Sequence, residues 1–329
     1  MHKVLIVGCG KISGLLSGHK GNKSVESHAQ AFKSNEGFEL AGCVDSNLER
    51  AKKFARTIGI PFSSNILEEA FAIIHPDVVV IATPDDTHFE IAHKVLVDPG
   101  WAPRIIFLEK PACTDENELT KLLRLSTERQ IPIVVNHSRR FHPLYHRLRA
   151  AIDTGQLGEL RRIDTVYYGG WCHNAVHLVD IIRYVSRMEL EELEVLEKIE
   201  DGRQIDPTYT VRGVLGPQKI PVWFHGWDEN YYQIFDLDFR FDTCRCRVGN
   251  FEQMVNWEEV SLNSLGEKIL LERPDRSIDN FEEPLVRAVS GIRKYLDDHE
   301  VDGLCQSLLK DIAPTMRSLW EVRSQRSRL

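Results

Sequence analysis

Two short stretches of this 329-residue chain carry residue types that could perform acid–base chemistry. The first is Glu109-Lys110-Pro111. A lysine ammonium in such a turn can hydrogen-bond a substrate oxygen and stabilise negative charge developing there. Taken alone, the same tripeptide also suits an ordinary surface turn. The second stretch holds His173, His177 and Asp180. If residues 173–184 are helical, these three stand at i, i+4 and i+7 on one face. An imidazole there can take a hydroxyl proton while hydride leaves the same carbon, an effect typically worth ~10²–10⁴ in rate. Histidines four apart on a helix can also bind zinc, but the third ligand would have to be Asp180 or a distant group, and no metal is expected. Helix capping and core packing are the rival roles for His173 and Asp180.

The elements that must position these groups begin at the N-terminus. Lys3 to Val7 is a continuous apolar run of the kind that forms buried parallel strands. It ends in Gly8-Cys9-Gly10-Lys11-Ile12-Ser13. Gly8 allows a sharp turn and Gly10 leaves room for a pyrophosphate against the backbone, so Gly8, Gly10, Lys11 and Ile12 are candidate cofactor contacts. The third fingerprint position is Ser13, small but not glycine. Phe38 to Asp45 reads as a second strand with an acid at its end. A carboxylate there suits ribose hydroxyls and repels a 2′-phosphate, favouring NAD over NADP.

Strands and helices then alternate: helix 48–58, strand 60–62, helix 66–74, strand 77–82, helix 89–97, strand 104–108, helix 116–129 and strand 131–135. That pattern predicts a doubly wound parallel sheet. Gly8, Asp45, Thr83, Glu109 and Asn136 all fall at its carboxyl edge, where such sheets bind ligands. The texture changes near Phe141. A helix at 143–154, a strand at 160–168 and runs at 192–199, 208–215, 219–225, 231–241, 244–250 and 255–261 predict a second α/β domain on an open, mainly antiparallel sheet. Helices within 278–296 and 301–323 close the chain. The expected domains are 1–138, for the dinucleotide, and 139–329, for the substrate and for oligomerisation.

Composition narrows the function classes. The net charge of −8 and the lack of a long basic run argue against a nucleic-acid partner. No apolar run is long enough to span a membrane, and with the N-terminus entering a core strand directly no signal peptide is expected. Seven cysteines without a CxxC pair suit a reducing cytoplasm, and Cys244 and Cys246, two apart in a strand, read as packing on one face rather than as metal ligands. The polar stretch Gly14 to Ser27 reads as an insertion before the first helix (27–34), either a solvated loop or a flap whose Lys20 or Lys23 reaches a ligand.

In order and spacing, these motifs resemble the Gfo/Idh/MocA family, named for glucose-fructose oxidoreductase and inositol dehydrogenase. The resemblance rests on Gly8-x-Gly10, Asp45, Thr83-Pro84 with His88, Glu109-Lys110-Pro111, Arg140-Phe141 before Pro143, and His177-x-x-Asp180. It implies a Rossmann domain followed by a domain on an open sheet, NAD or NADP as cofactor, and a hydroxyl of a sugar, sugar nucleotide or cyclic polyol as the reacting group. It assigns catalysis to Lys110 and His177. Thr83, Pro84, His88, Glu109 and Lys110 become cofactor-side residues; Asn136, Arg140, His173 and Asp180 become substrate-side candidates. A homodimer or homotetramer is implied as well. Many members carry Asp where this chain has His173. The alternatives are an NAD-retaining enzyme that cleaves glycosides through transient oxidation, a non-catalytic sugar or NAD sensor, and a zinc hydrolase built on His173 and His177.

Overall fold

The computed structural model describes residues 1–15, 27–273 and 283–325. The chain divides into two compact units, Met1–His142 with Glu282–Ala313, and Pro143–Phe281 with Pro314–Leu329.

The first unit is built on six strands, β1 (His2–Val7), β2 (Phe38–Val44), β3 (Phe62–Ser64), β4 (Val78–Ile81), β5 (Ile105–Leu108) and β6 (Ile133–Val135), in the order β3-β2-β1-β4-β5-β6. Every pairing among them is parallel. Val78 to Ile81 are wholly buried, as expected of a strand covered on both faces. Helices α1 (His28–Lys33), α2 (Leu48–Ile58), α3 (Leu67–Ile74), α4 (His88–Val97) and α5 (Glu116–Arg129) connect the strands. Their starts follow local capping chemistry: Ser27, Asn47 and Asp115 each accept a backbone N–H from the first turn. β3 begins two residues later than its sequence suggests. Gly59 closes α2 in a left-handed conformation, Ile60 N–H still bonds Ala55, and Pro61 has no N–H to offer a ladder.

The second unit carries α6 (Pro143–Asp153), β7 (Leu160–Tyr168), α7 (Val176–Ser186) and seven further strands, β8 (Leu190–Lys198), β9 (Tyr209–Leu215), β10 (Ile220–Trp227), β11 (Asp236–Phe241), β12 (Cys244–Gly249), β13 (Met254–Leu262) and β14 (Lys268–Glu272). The order is β14-β13-β12-β11-β7-β10-β9-β8, antiparallel throughout except for the parallel pair β7 and β10. β14 has no counterpart among the expected strands, and residues 231–235, expected as strand, are a turn and loop. Cys244 and Cys246 are both buried on the inner face of β12.

The expected second domain, 139–329, does not hold together. α8 (Pro284–Asp298) buries Leu285, Ala288, Val289, Ile292 and Leu296 in the same core as Val4, Ile6, Phe32 and Val80. Burying each large aliphatic side chain is worth ~1.5–3 kcal/mol, enough to return this segment to the first unit. Arg293 also donates to Asn35 (3.0 Å), and His2 pairs with Asp297 (2.6 Å). The last helix, α9 (Leu309–Ser324), contains the boundary at Pro314. The earlier boundary falls at His142/Pro143, four residues beyond the expected 138/139.

Candidate functional site

In the first unit, the carboxyl edge of the parallel sheet opens into a cleft of ≈ 900 Å³. Gly8, Gly10, Lys11, Ile12, Asp45, Thr83 and Pro84 all line it. Gly8 has φ +95°, and a Cβ there would lie 2.5 Å from the Ala82 carbonyl oxygen, so only glycine fits. At Gly10 a Cβ would meet nothing within 4 Å and would project into open space. Ser13, buried in place of the usual glycine, donates its hydroxyl to the Gly8 carbonyl (2.6 Å) and closes the loop. Of the expected insertion, residues 16–26, including Lys20 and Lys23, lie outside the described residues.

Asp45 is 6% exposed, and its two carboxylate oxygens accept the backbone N–H groups of Cys9 and Asn47, both at 2.9 Å. It therefore ties the glycine loop to the end of β2. Arg50, an exposed cleft residue not singled out from sequence, approaches the same carboxylate at 3.6 Å.

Further along that edge, Glu109 accepts from the Asn136 amide (2.7 Å) and contacts the His28 ring nitrogen Nε2 (2.8 Å). His28 is wholly buried and stands edge-on to Phe107, ring centres 5.1 Å apart. Burial alone would raise the Glu109 carboxyl. The hydrogen bond and charge of His28, then the Asn136 amide and the Lys110 charge, outweigh it and hold the group below the ordinary carboxylate value. Lys110 is half-buried and its peptide bond to Pro111 is cis.

Two first-unit expectations, His88 and Arg140, are corrected by these contacts. His88, expected as a cofactor contact, is wholly buried, with its ring nitrogens on the carbonyl oxygens of Pro111 (2.7 Å) and Thr83 (2.8 Å). It fastens the Thr83-Pro84 turn to the Glu109-Lys110-Pro111 turn. Asn136, expected as a substrate contact, gives one amide N–H to Glu109, while its buried Oδ1 has no hydrogen-bond partner among the described residues. Arg140 is 3% exposed, and its guanidinium donates to the Gln306 carbonyl, inside the first unit. His28 carried one legible signal, a titratable residue within the buried face His28, Ala29, Ala31, Phe32 of a short capped helix.

In the second unit, His173, His177 and Asp180 do not share one α-helix. Residues Trp171–Ala175 form a wider π-type turn, and α7 starts only at Val176. Two facts cause the break. Gly169 and Gly170 both take positive φ, and the Asp206 carboxylate receives the backbone N–H groups of Cys172 (2.9 Å) and His173 (2.8 Å). His173 is exposed and His177 half-buried. Asp180, expected as a substrate contact, is 1% exposed and accepts from the Thr315 hydroxyl (3.0 Å), which in turn accepts from Arg183 (2.7 Å). It anchors α7 in the core. Beside His177 stands Phe235 (ring centres 6.5 Å), stacked on Phe251, which meets Tyr168. Burial, with the Asp206 carboxylate, pushes the Cys172 thiol up to about 12, so it is no ready nucleophile. Among the described residues, no cluster of His, Cys, Asp or Glu is arranged to hold a metal ion. Among those residues no helix is long and apolar enough to cross a membrane.

Residues 2–137 match a family model described as an oxidoreductase family with an NAD-binding Rossmann fold. An inositol 2-dehydrogenase of Rhizobium meliloti is 31% identical over 136 residues, 41% of this chain and 39% of that protein. A UDP-N-acetylglucosamine 3-dehydrogenase of Acidithiobacillus ferrooxidans is 33% identical over 127 residues, 38% of this chain and 37% of that protein. The chain thus matches less than half the length of either relative. In three dimensions the likeness extends further. A crystal form of the Acidithiobacillus enzyme superposes with a TM-score of 0.74 over 98% of this chain and 97% of its own, at 16% identity. A super-repressor mutant of Gal80p from Saccharomyces cerevisiae gives 0.77 over 99% and 96%, at 15% identity. At such identities the likeness is one of fold.

Proposed function

We propose that the chain, whose residues 2–137 match the NAD-binding oxidoreductase family model, belongs to the Gfo/Idh/MocA family and is a dehydrogenase acting on a ring hydroxyl, or the matching ketone, of a sugar, sugar nucleotide or cyclic polyol. The observation that carries this reading is the glycine cleft, with Gly10 open to a ligand and the Glu109-Lys110-Pro111 turn on the same sheet edge. The relatives named for inositol and for UDP-N-acetylglucosamine support the substrate class.

The cleft residues fit a dinucleotide. Its volume is in the range of cofactor sites, the bare backbone at Gly10 offers the close approach a pyrophosphate needs, and Asp45 supplies a carboxylate beside the ribose position. When bound, the nicotinamide supplies the hydride acceptor or donor. Asp45 favours NAD, because a 2′-phosphate would meet its negative charge. Lys110 donates to the substrate oxygen and stabilises charge developing on it. His177 takes or returns the hydroxyl proton. Glu109, held ionised by His28 and Asn136, keeps the Lys110 turn in place and balances the ammonium. The homo-oligomer expected from the family remains part of this proposal, with the outer face of the eight-stranded sheet as its surface.

The test is reduced-nicotinamide absorbance with NAD and a panel of sugars, nucleotide sugars and cyclitols. Turnover should appear with at least one of them and fall by ~10²–10⁴ in Lys110→Ala and in His177→Ala. Full activity in both variants would overturn the assignment.

A further inference from the structure

β7 and β10 run parallel, with Tyr168 opposite Trp227 at their carboxyl ends. The segments that leave them therefore start side by side, Gly169 to His177 from one and Asp228 to Phe235 from the other. The second segment exposes two aromatic rings. Tyr231 is 75% exposed and Tyr232 55%, and both pack against Trp227, with ring centres 6.0 and 5.0 Å away. Large aromatic groups held in a defined cluster yet left in water are informative, because burying them elsewhere in the fold would be favourable. At the edge of the cluster Arg203 donates to Glu229 (2.8 Å). That pair overlies the chain leading to His177: a Cβ on Gly169 would lie 3.5 Å from Glu229 Oε2 and 3.6 Å from Arg203 Nη2. The same loop ends in Phe235, which packs on His177.

We propose that Trp227, Tyr231 and Tyr232, edged by the Arg203–Glu229 pair, form a stacking platform for an uncharged or amine-bearing carbohydrate ring. Pyranose and cyclitol rings present apolar C–H faces, which settle on aromatic faces, while their hydroxyls reach planar charged groups at the rim. An amine on the ring adds attraction to the aromatic faces. The surrounding charge selects against a diphosphate: Glu200, Asp201 and Asp206 in the loop between β8 and β9 join Asp228 and Glu229 after β10, against Arg203, Arg323 near Cys172, and Lys198, which pairs with Glu200. A pyrophosphate brought here would meet predominantly negative charge. The inference rests on the dehydrogenase reading for its reaction but not for its binding site, and it narrows that reading to sugars and cyclitols without a nucleotide.

The test titrates the full chain with glucosamine, methyl glucoside, myo-inositol and UDP-N-acetylglucosamine, following tryptophan emission, in wild type, in the double variant Tyr231→Ala/Tyr232→Ala and in Glu229→Gln. Both tyrosines are exposed, so their removal leaves the core intact. At least one unphosphorylated ring should bind, more weakly by about tenfold in the double variant, a loss equivalent to ~1.4 kcal/mol. UDP-N-acetylglucosamine should bind more weakly than that ring and gain in Glu229→Gln. The proposal is overturned if no unphosphorylated probe binds wild type, if the double variant binds it equally well, or if the nucleotide sugar is the tighter ligand and loses that advantage with the tyrosines, which would make the platform a nucleobase seat. Absence of any turnover with NAD would instead remove the dehydrogenase reading, with the titrations still judging the platform.

Discussion

Replacing His28 by alanine should be among the most costly single changes in the first unit, although the residue lies outside the glycine and Glu-Lys-Pro motifs. Its ring is wholly buried, 2.8 Å from Glu109 and edge-on to Phe107. Alanine removes a hydrogen bond to a charged group, worth ~1.5–3 kcal/mol, and leaves a mostly buried carboxylate with only the Asn136 amide and the Lys110 charge to hold it. Breaking one partner of such a pair typically costs ~3–5 kcal/mol, a large share of a domain's ~5–15 kcal/mol. Urea unfolding of wild type, His28→Ala, Glu109→Gln and the double variant isolates the pair, with an expected coupling of ~1.5–3 kcal/mol. The pH dependence has a definite sign. The folded Glu109 carboxyl titrates below its ordinary value, so its contribution is complete above the unfolded value of ~4.3 and is lost as pH falls through the lower folded value. His28→Ala should flatten that acid limb. A coupling below ~0.5 kcal/mol, or an unchanged acid limb, would refute the reasoning.

Other outcomes follow from the same geometry. Gly8→Ala should destabilise the fold, since its Cβ would sit 2.5 Å from the Ala82 oxygen at positive φ; Gly10→Ala should leave the melting temperature near wild type yet weaken NAD binding, as measured by calorimetry. Asp45→Ala should raise the NADP-to-NAD ratio of kcat/KM, and it should also lower stability by ~1–3 kcal/mol because the Cys9 and Asn47 N–H groups lose their acceptor. Asp180→Asn should cost stability in thermal unfolding with KM unchanged, since the carboxylate faces Thr315 in the core; a selective rise in KM would restore it to the substrate side.

Periodicity and motif order were enough for the first sheet. Continuous apolar runs placed β1, β2, β4 and β5 within a residue or two, and the same runs put Gly8, Asp45, Thr83 and Glu109 on one edge. The glycine at position 10 was readable for a similar reason: its requirement is local, a backbone with no side chain. The π-type turn at 171–175 was not readable, because it depends on Asp206, more than thirty residues away, receiving two N–H groups. Arg203 and Glu229 likewise meet only because β9 and β10 are neighbours.

What the amino-acid order determined alone is whatever neighbouring residues enforce on each other: strand and helix periods, caps, and the glycine turn. Tertiary structure decided which polar side chains face a ligand and which face each other. His88, Arg140 and Asp180 have the residue types of contacts, yet each is itself buried and bonded to a neighbouring segment. A buried polar atom must find a complement or lose its hydration uncompensated, and the complement is supplied by whichever distant segment packs alongside.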